Sequence, residues 1–421
     1  MRGASPPSRV FVCNRGGGSG ILSAMQSLRL LVAAVAALAL AAPARARVGT
    51  LRVANYNVEN LYDAVVDQPT NNLTGAPGDA DWCRTSWRRW TEERYRTKLG
   101  RLAWVIDRMK PDILVVEEVE NLGTVQALAD RVRADYGWTL PHIAHHDSTD
   151  PRGIDVAILS RYPVRSVEYK PRRWRRGLLV AEIEVDGTRV VVLANHWKSQ
   201  IGDAEENIAI RTSEAAETRS EILRRLRFDP NATILSLGDY NEDMDGPSMM
   251  AGLKPANDRG TALASIRGPL SELRPYNVVG DIPKSARGSF FYARRKVWNT
   301  FDGIHVVPRM LLPLGRPGPA WRVGKPSETI TFHPPEMRWG DDGRPKSYRR
   351  SRQYEAGTDG DEVSEENYYS DGYSDHFPVL TVLHRAAAPD AAAAAEGADG
   401  DAGKGRAAEK AEARPADPEA A

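Results

Sequence analysis

The chain has 421 residues, 41% of them hydrophobic and 27% charged, which is enough apolar material for one large core or two smaller ones. Its 57 Lys and Arg nearly cancel its 56 Asp and Glu, so no global charge announces a polyanionic partner; only the placement of charge can do that. Two cysteines, Cys13 and Cys83, exclude a disulfide-built scaffold, and no Cys/His spacing fits a zinc site.

Met25 opens MQSLRLLVAAVAALALAAPARA, with Arg29 before an apolar run from Leu30 to Ala42 and a small-x-small site at Ala44-Arg45-Ala46. That is the pattern of a secretory signal peptide over 25–46, and the apolar run is too short for stable membrane insertion. Residues 1–24 precede it and read as a mis-assigned start. A mature chain beginning near Arg47 is therefore expected, in the periplasm or outside the cell. At the other end, 386–421 is Ala, Asp, Glu, Gly and Pro with almost no large apolar residue and is expected to be a disordered tail. One catalytic domain over 47–385 remains.

LRVANYNV (51–58) reads as a strand ending in polar groups. Residues 93–110 carry Leu99, Leu102, Ala103, Ile106 and Met109 at helical spacing, and Pro111 stops the helix. ILVVEEV (113–119) is a buried strand ending in acid, and 124–135 is a second amphipathic helix. Strands follow at 155–160, 178–185 and 189–196, the last two joined by the hairpin dipeptide Asp186-Gly187. A helix over 208–226 leads to ATILSLGDYNED (232–243), another strand ending in acid. GSFFYA, TFDGIHVV and FPVLTVL are the closing strands, and the long, polar, Pro/Gly-rich segment 308–372 reads as a loop, functional or disordered.

Strand after strand ends in a polar or acidic group: Asn57, Glu118, Asn195-His196, Asp239 with Asn241, Asp302, and Asp375-His376. Six such endings imply one shared edge where the strand ends converge. Carboxylates gathered there repel one another and raise one another's pKa unless a cation is present. Oxygen-only donors favour a hard ion, Mg²⁺ or Mn²⁺. A hard ion beside a His/Asp pair is equipment for hydrolysing a phosphate ester.

The motifs ANYNVENLYD, LVVEEVEN, RGIDVAILSRYPV, VLANHWKS, LGDYNED, FDGIHVV and YSDHFPV span residues 51–383. In this content and order the chain resembles the endonuclease/exonuclease/phosphatase superfamily. The resemblance implies a four-layer αββα sandwich, an α/β fold of two packed mixed sheets flanked by helices. It implies that Glu118 binds the metal, with Asn57 and Asp375 at the metal and phosphate site. Asp239 and Asn241 would hold the attacking water and a phosphate oxygen. His376 would be the general base, Asp302 would orient it, and His196 would donate to a phosphate oxygen. Asn195, Arg152 and Asp155 are candidates for touching substrate, although a loop salt bridge suits Arg152 and Asp155 equally well. Glu117 stands where relatives often have glutamine, and Gly303 where they often have an aromatic or His. Glu59 and Glu120 are expected to be solvated. His142, His145 and His146 crowd one loop without forming a second metal site.

Four stretches interleave basic and aromatic residues: 82–90, 170–177, 292–298 and 347–354. Arg and Lys neutralise phosphates while Trp and Tyr stack on bases, so these point to nucleic acid as the substrate. No protein partner can be inferred. The expected activity is a secreted Mg²⁺- or Mn²⁺-dependent nuclease acting on DNA or RNA. A phosphatase or sphingomyelinase-like phosphodiesterase is the alternative, with Met249-Met250 and Met310-Leu311-Leu312 as its only candidate membrane-contact loops. A binding module that has lost catalysis is a third, but no catalytic residue is missing.

Overall fold

The computed structural model describes residues 49–65, 90–172, 175–348 and 372–386. The leader, most of the tail, Cys83 and most of the basic stretches 82–90 and 347–354 lie outside the described residues.

In chain order the strands are β1 (Thr50–Leu61), β2 (Ile113–Val119), β3 (His142–His145), β4 (Asp155–Ser160), β5 (Val164–Arg172), β6 (Arg175–Val185), β7 (Thr188–His196) and β8 (Thr233–Asp239). They continue as β9 (Tyr276–Asn277), β10 (Phe290–Tyr292), β11 (Val297–Asn299), β12 (Asp302–Val306), β13 (Trp321–Val323), β14 (Ile330–Thr331), β15 (Arg338–Trp339), β16 (Arg344–Pro345) and β17 (Val379–Arg385). Among the described residues four α-helices accompany them: α1 (Glu92–Met109), α2 (Leu122–Tyr136), α3 (Ala204–Phe228) and α4 (Arg259–Ser265). One sheet has the order β13-β17-β1-β2-β4-β3, with β14 also paired to β17; the other has the order β5-β6-β7-β8-β12-β9. Both are mixed, because β1–β2 and β7–β8 are parallel inside otherwise antiparallel ladders. This is the expected αββα sandwich.

The helices start and stop where local chemistry says they should. Thr91 caps α1 by accepting from the Arg94 N–H, Glu92 and Glu93 sit in its first turn, and Lys110 ends it in a left-handed conformation before Pro111. Asn121 and Thr124 form a capping box on α2, and Gly137 closes it at φ 73°. Both helices pack on the outer face of the first sheet, where Ala54, Tyr56, Val58, Leu114 and Val116 share one buried layer with Leu99, Leu102, Ile106, Leu128 and Val132.

Side chains alternate along a strand, so the other face of β1 and β2 carries Leu51, Val53, Asn55 and Asn57, and Ile113, Val115 and Glu117. Those apolar members are fully buried. Asn55 and Asn57 reach across to the second sheet, donating to Asp302 at 3.1 Å and to Asp239 at 3.0 Å. The apolar part of this inner face holds the sheets together, and its polar end forms the site. The segment 308–372 is less of a loop than its composition suggests, since β13 and β14 add to β17 and β15 pairs with β16.

Candidate active site

Two facing rows of polar residues make the site. In the second sheet, register places His196 beside Asp239 and Asp239 beside Asp302, on three adjacent strands. In the first sheet it places Asn57 beside Glu117. The pairing of β1 with β2 slips between Asn57 and Leu61, and that of β2 with β4 slips between Glu117 and Val119. Left-handed residues accompany both slips: Glu59 at φ 55° and Asn60 at φ 56° on β1, and Glu118 at φ 64° on β2. Such conformations cost non-glycine residues about 1–3 kcal/mol each and persist only where the surroundings enforce them. Here the bulge swings Glu118 off the helix-facing side that strict alternation would give it.

The Ser374-Asp375-His376 run is pinned rather than loose. Ser374 Oγ donates to the Asn57 carbonyl at 2.7 Å and accepts from the His376 N–H at 3.1 Å. Phe377 N–H donates to the Ser289 carbonyl at 2.8 Å, and the Phe290 ring packs on the His376 ring at 4.9 Å. His376 Nδ1 lies 2.7 Å from Asp302 Oδ2, so the ring donates there and directs Nε2 toward Asp239 Oδ2, 4.0 Å away. Asp239 also accepts from Asn57 Nδ2 at 3.0 Å and from the Asn241 N–H at 2.8 Å. His196 Nε2 stands between two carboxylates, 3.6 Å from Asp239 and 3.9 Å from Glu118.

The electrostatics follow from burial and crowding. Burial, with further repulsion from Asp302, raises the Asp239 carboxyl to about 6, against the pull of His376 and its hydrogen bonds. Burial alone would lower His376, yet the Asp302 and Asp239 carboxylates outweigh it and raise the imidazole well above its usual range. His196 is held well below that range by burial and by Arg176, Arg152 and His376 nearby, the two carboxylates notwithstanding, and is neutral at pH 7. Glu117 is pushed up by burial and by Asp302 and Asp239, and neither of its carboxyl oxygens has a hydrogen-bond partner.

These acids fit a divalent cation. Glu118 and Asp239 both lie within 4 Å of one histidine nitrogen, Glu117 adds two orphaned oxygens below them, and the donors are all oxygen. Glu118 and Asp239, the latter bonded to Asn57, are the carboxylates placed to hold it. The tightest cluster of possible ligands among the described residues is elsewhere, at His145, Asp147 and Asp155. There His145 is already hydrogen-bonded to Asp155 at 3.0 Å and Asp147 is 78% exposed, so the cluster is occupied with its own contacts.

The structure parts company with several expectations. Asn195 does not face the site: its neighbour His196 does, and alternation turns Asn195 outward. Its amide donates to Ser236 Oγ at 3.0 Å and accepts from Trp197 Nε1 at 3.0 Å and Thr218 Oγ1 at 2.8 Å. Asp155 is likewise occupied, accepting from the Ser148 N–H at 2.7 Å as well as contacting His145. Arg152 keeps its place at the rim, 44% exposed and 3.3 Å from Glu118. Glu59 and Glu120 are buried, not solvated, because chain folds back over both. Glu59 accepts from Ser347 Oγ at 2.6 Å and the Tyr348 N–H at 2.9 Å, and Glu120 from the Asp63 N–H at 2.7 Å. Asn55 and Ser374 tether Asp302 and His376, and no motif in the sequence gives either a role. Their strand-end positions beside assigned residues were the available signal.

Residues 52–385 match the endonuclease/exonuclease/phosphatase family, and the chain belongs to it. It is a metal-dependent phosphoric ester hydrolase. No curated protein sequence matches it. Among solved structures, a humanised D. rerio TDP2 aligns at 15% identity and TM-score 0.44, covering 80% of this chain and 99% of that one. A Bacteroides thetaiotaomicron mannosyl-6-phosphatase aligns at 14% and 0.44, covering 79% and 99%. An endonuclease/exonuclease/phosphatase from Beutenbergia cavernae aligns at 16% and 0.45, covering 82% and 74%. Likenesses this distant carry no argument about substrate.

Proposed function

We propose that the chain is an exported nuclease that hydrolyses phosphodiester bonds of DNA or RNA with Mg²⁺ or Mn²⁺. The observation that carries the hydrolytic reading is the Asp302–His376 pair aimed at Asp239 beside Glu118. In the unprotonated ring Asp302 holds the Nδ1–H tautomer, leaving Nε2 to take a proton. The 4.0 Å between Nε2 and Asp239 suits a water held by both groups. As that water attacks phosphorus, its proton passes to His376, the new O–P bond forms, and the bond to the leaving oxygen breaks. Neutral His196 donates from Nε2 to a phosphate oxygen, and Asn241 and the rim guanidinium of Arg152 bind others. Glu118, with Asn57 and Asp375, would hold a divalent cation, which when bound would neutralise the charge that develops on phosphate. Export rests on the leader pattern at 25–46.

Polymer rather than lipid is favoured by what happened to the candidate membrane loops. Met249, Met310 and Leu311 are buried, and Met250 is exposed by only 39%, so no apolar patch remains there to meet a bilayer. Among the described residues no helix is long and apolar enough to cross a membrane. The test is purified protein against plasmid DNA, RNA, phospholipid vesicles and phosphosugars, with Mg²⁺ or Mn²⁺ and with a chelator. Metal-dependent cleavage of nucleic acid that stops on chelation is expected. Intact nucleic acid alongside phosphate ester release from lipids or sugars would move the reading to the alternative.

A further inference from the structure

The four basic and aromatic stretches are not equivalent once folded. In 170–177 the described cations are committed to acids of the protein: Lys170 to Glu221 at 2.8 Å, Arg172 to Glu217 at 2.6 Å, Arg175 to Glu214 at 3.5 Å, and Arg176 to Asp150. That stretch braces β5 and β6 against α3 and has little charge left for a ligand.

The β10–β11 hairpin is the opposite case. Arg294, Arg295 and Lys296 form its exposed turn, and among the described residues none has a carboxylate within ion-pair reach. Tyr292 and Trp298, each 37% exposed, flank them. Arg295 lies over the Tyr292 ring at 5.9 Å, and Lys296 turns the chain at φ 53°. The base is rigid. Phe290 bridges to His376, Trp298 stacks on Phe377 at 5.9 Å and 17°, and Asp243 accepts from Asn299 Nδ2 at 2.9 Å and the Thr300 N–H at 2.7 Å. Asp302 N–H donates to Ser289 Oγ at 3.1 Å at the same base. The arm is thus built directly onto the general base and its orienting acid.

We infer that the β10–β11 hairpin is a backbone grip for the nucleic-acid strand being cut, with Arg294, Arg295 and Lys296 on its phosphates and Tyr292 and Trp298 offering ring faces to unstacked bases. The inference rests on the nuclease reading above. Arg294 is four residues on from Phe290, which lies beside His376. At about 3.3 Å per residue that is roughly 13 Å. A strand of duplex rises about 3.4 Å per phosphate, so the cations meet it about four phosphates from the scissile one. Unpaired cations release counterions on binding, which paired ones such as Lys170 cannot do to the same extent.

The test is the variant Arg294→Gln/Arg295→Gln/Lys296→Asn, since Asn tolerates the left-handed turn position. It is compared with the unmodified protein on an oligonucleotide of about 20 nucleotides and on bis(p-nitrophenyl) phosphate, which is too short to reach the turn. On the oligonucleotide KM should rise about tenfold near 0.1 M salt with little change in kcat. The slope of log(kcat/KM) against log[salt] should become shallower by about 2 for a single strand, or nearer 3 for duplex. Turnover of the small diester reports that the fold is intact. Unchanged KM and salt slope on a strand that the unmodified protein cleaves would overturn the grip and leave the nuclease reading standing. So would a variant that loses binding to anionic vesicles while keeping its oligonucleotide KM. If the unmodified protein cleaves no nucleic acid, the nuclease reading fails first and the grip falls with it.

Discussion

Asp302→Asn replaces one carboxylate oxygen by NH₂. Both oxygens of Asp302 act as acceptors: Oδ2 from His376 Nδ1 at 2.7 Å and Oδ1 from Asn55 Nδ2 at 3.1 Å. An amide has one accepting oxygen, so one of the two donors must now face an NH₂. If the NH₂ faces His376, the ring keeps its proton on Nε2 and cannot take one from water. If it faces Asn55, the Asn55 amide can turn so that its unpartnered Oδ1 accepts from the NH₂, and the ring still loses the charge that raised its basicity. The corresponding change in serine proteases lowers kcat by about ten-thousandfold. A loss of about a hundred- to ten-thousandfold is expected here, roughly 3 to 5.5 kcal/mol of barrier. The pH dependence carries a second signature. Asp302 raises the His376 pKa, so its neutralisation should move the limb of the pH–rate profile that requires the unprotonated ring to lower pH. Steady-state kinetics on a small phosphodiester from pH 5 to 9, with thermal melts to confirm folding, measure both. A kcat within threefold of the unmodified enzyme and an unmoved limb would show that Asp302 does not orient the base.

Asn195→Ala should behave as a stability variant. It strips partners from Trp197 Nε1, Thr218 Oγ1 and Ser236 Oγ in a buried network, at about 2–4 kcal/mol, while KM holds; a changed KM at unchanged melting temperature would return Asn195 to the substrate. Glu221→Gln probes the brace of α3 on β5. Burial would raise this carboxyl, but hydrogen bonds from Arg224, Lys170 and Arg225 hold it at about 2 against an ordinary 4.5. A depressed folded-state value means stability present above pH 4.5 and lost as pH falls through about 2. With Arg224 44% and Lys170 34% exposed, screening reduces the contribution to about 1–2 kcal/mol. The variant should melt a few degrees lower at pH 7, with the gap closing toward pH 2 and narrowing in high salt; a gap that does not depend on pH would rule out the ionic explanation.

Much of this arrangement was readable from short-range pattern. ILVVEEV and DVAILS became β2 and β4 with the boundaries expected, because apolar runs bounded by turn chemistry leave little choice. Asp186-Gly187 made its hairpin, with φ of 48° and 76° at the two turn residues. The pairing of Asp302 with His376, 74 residues apart, was recoverable only through family motif order, since nothing local links them.

Which face a polar strand end presents was decided later. His196 and Asn195 are chemically equal candidates, and one step of strand alternation sends one into the site and the other into the outer layer. The bulge at Glu118 reverses that rule, and only the packing of β2 between β1 and β4 shows it. Charge was settled in the same way. Lys170 and Lys296 belong to similar-looking basic stretches, but α3 brings Glu221 to the first and no described carboxylate reaches the second. Residue type and spacing thus fix which groups the chain owns, because propensity and capping act over a few residues. Whether a carboxylate, a guanidinium or an amide is free to work depends on partners brought from far along the chain, and packing alone chooses those.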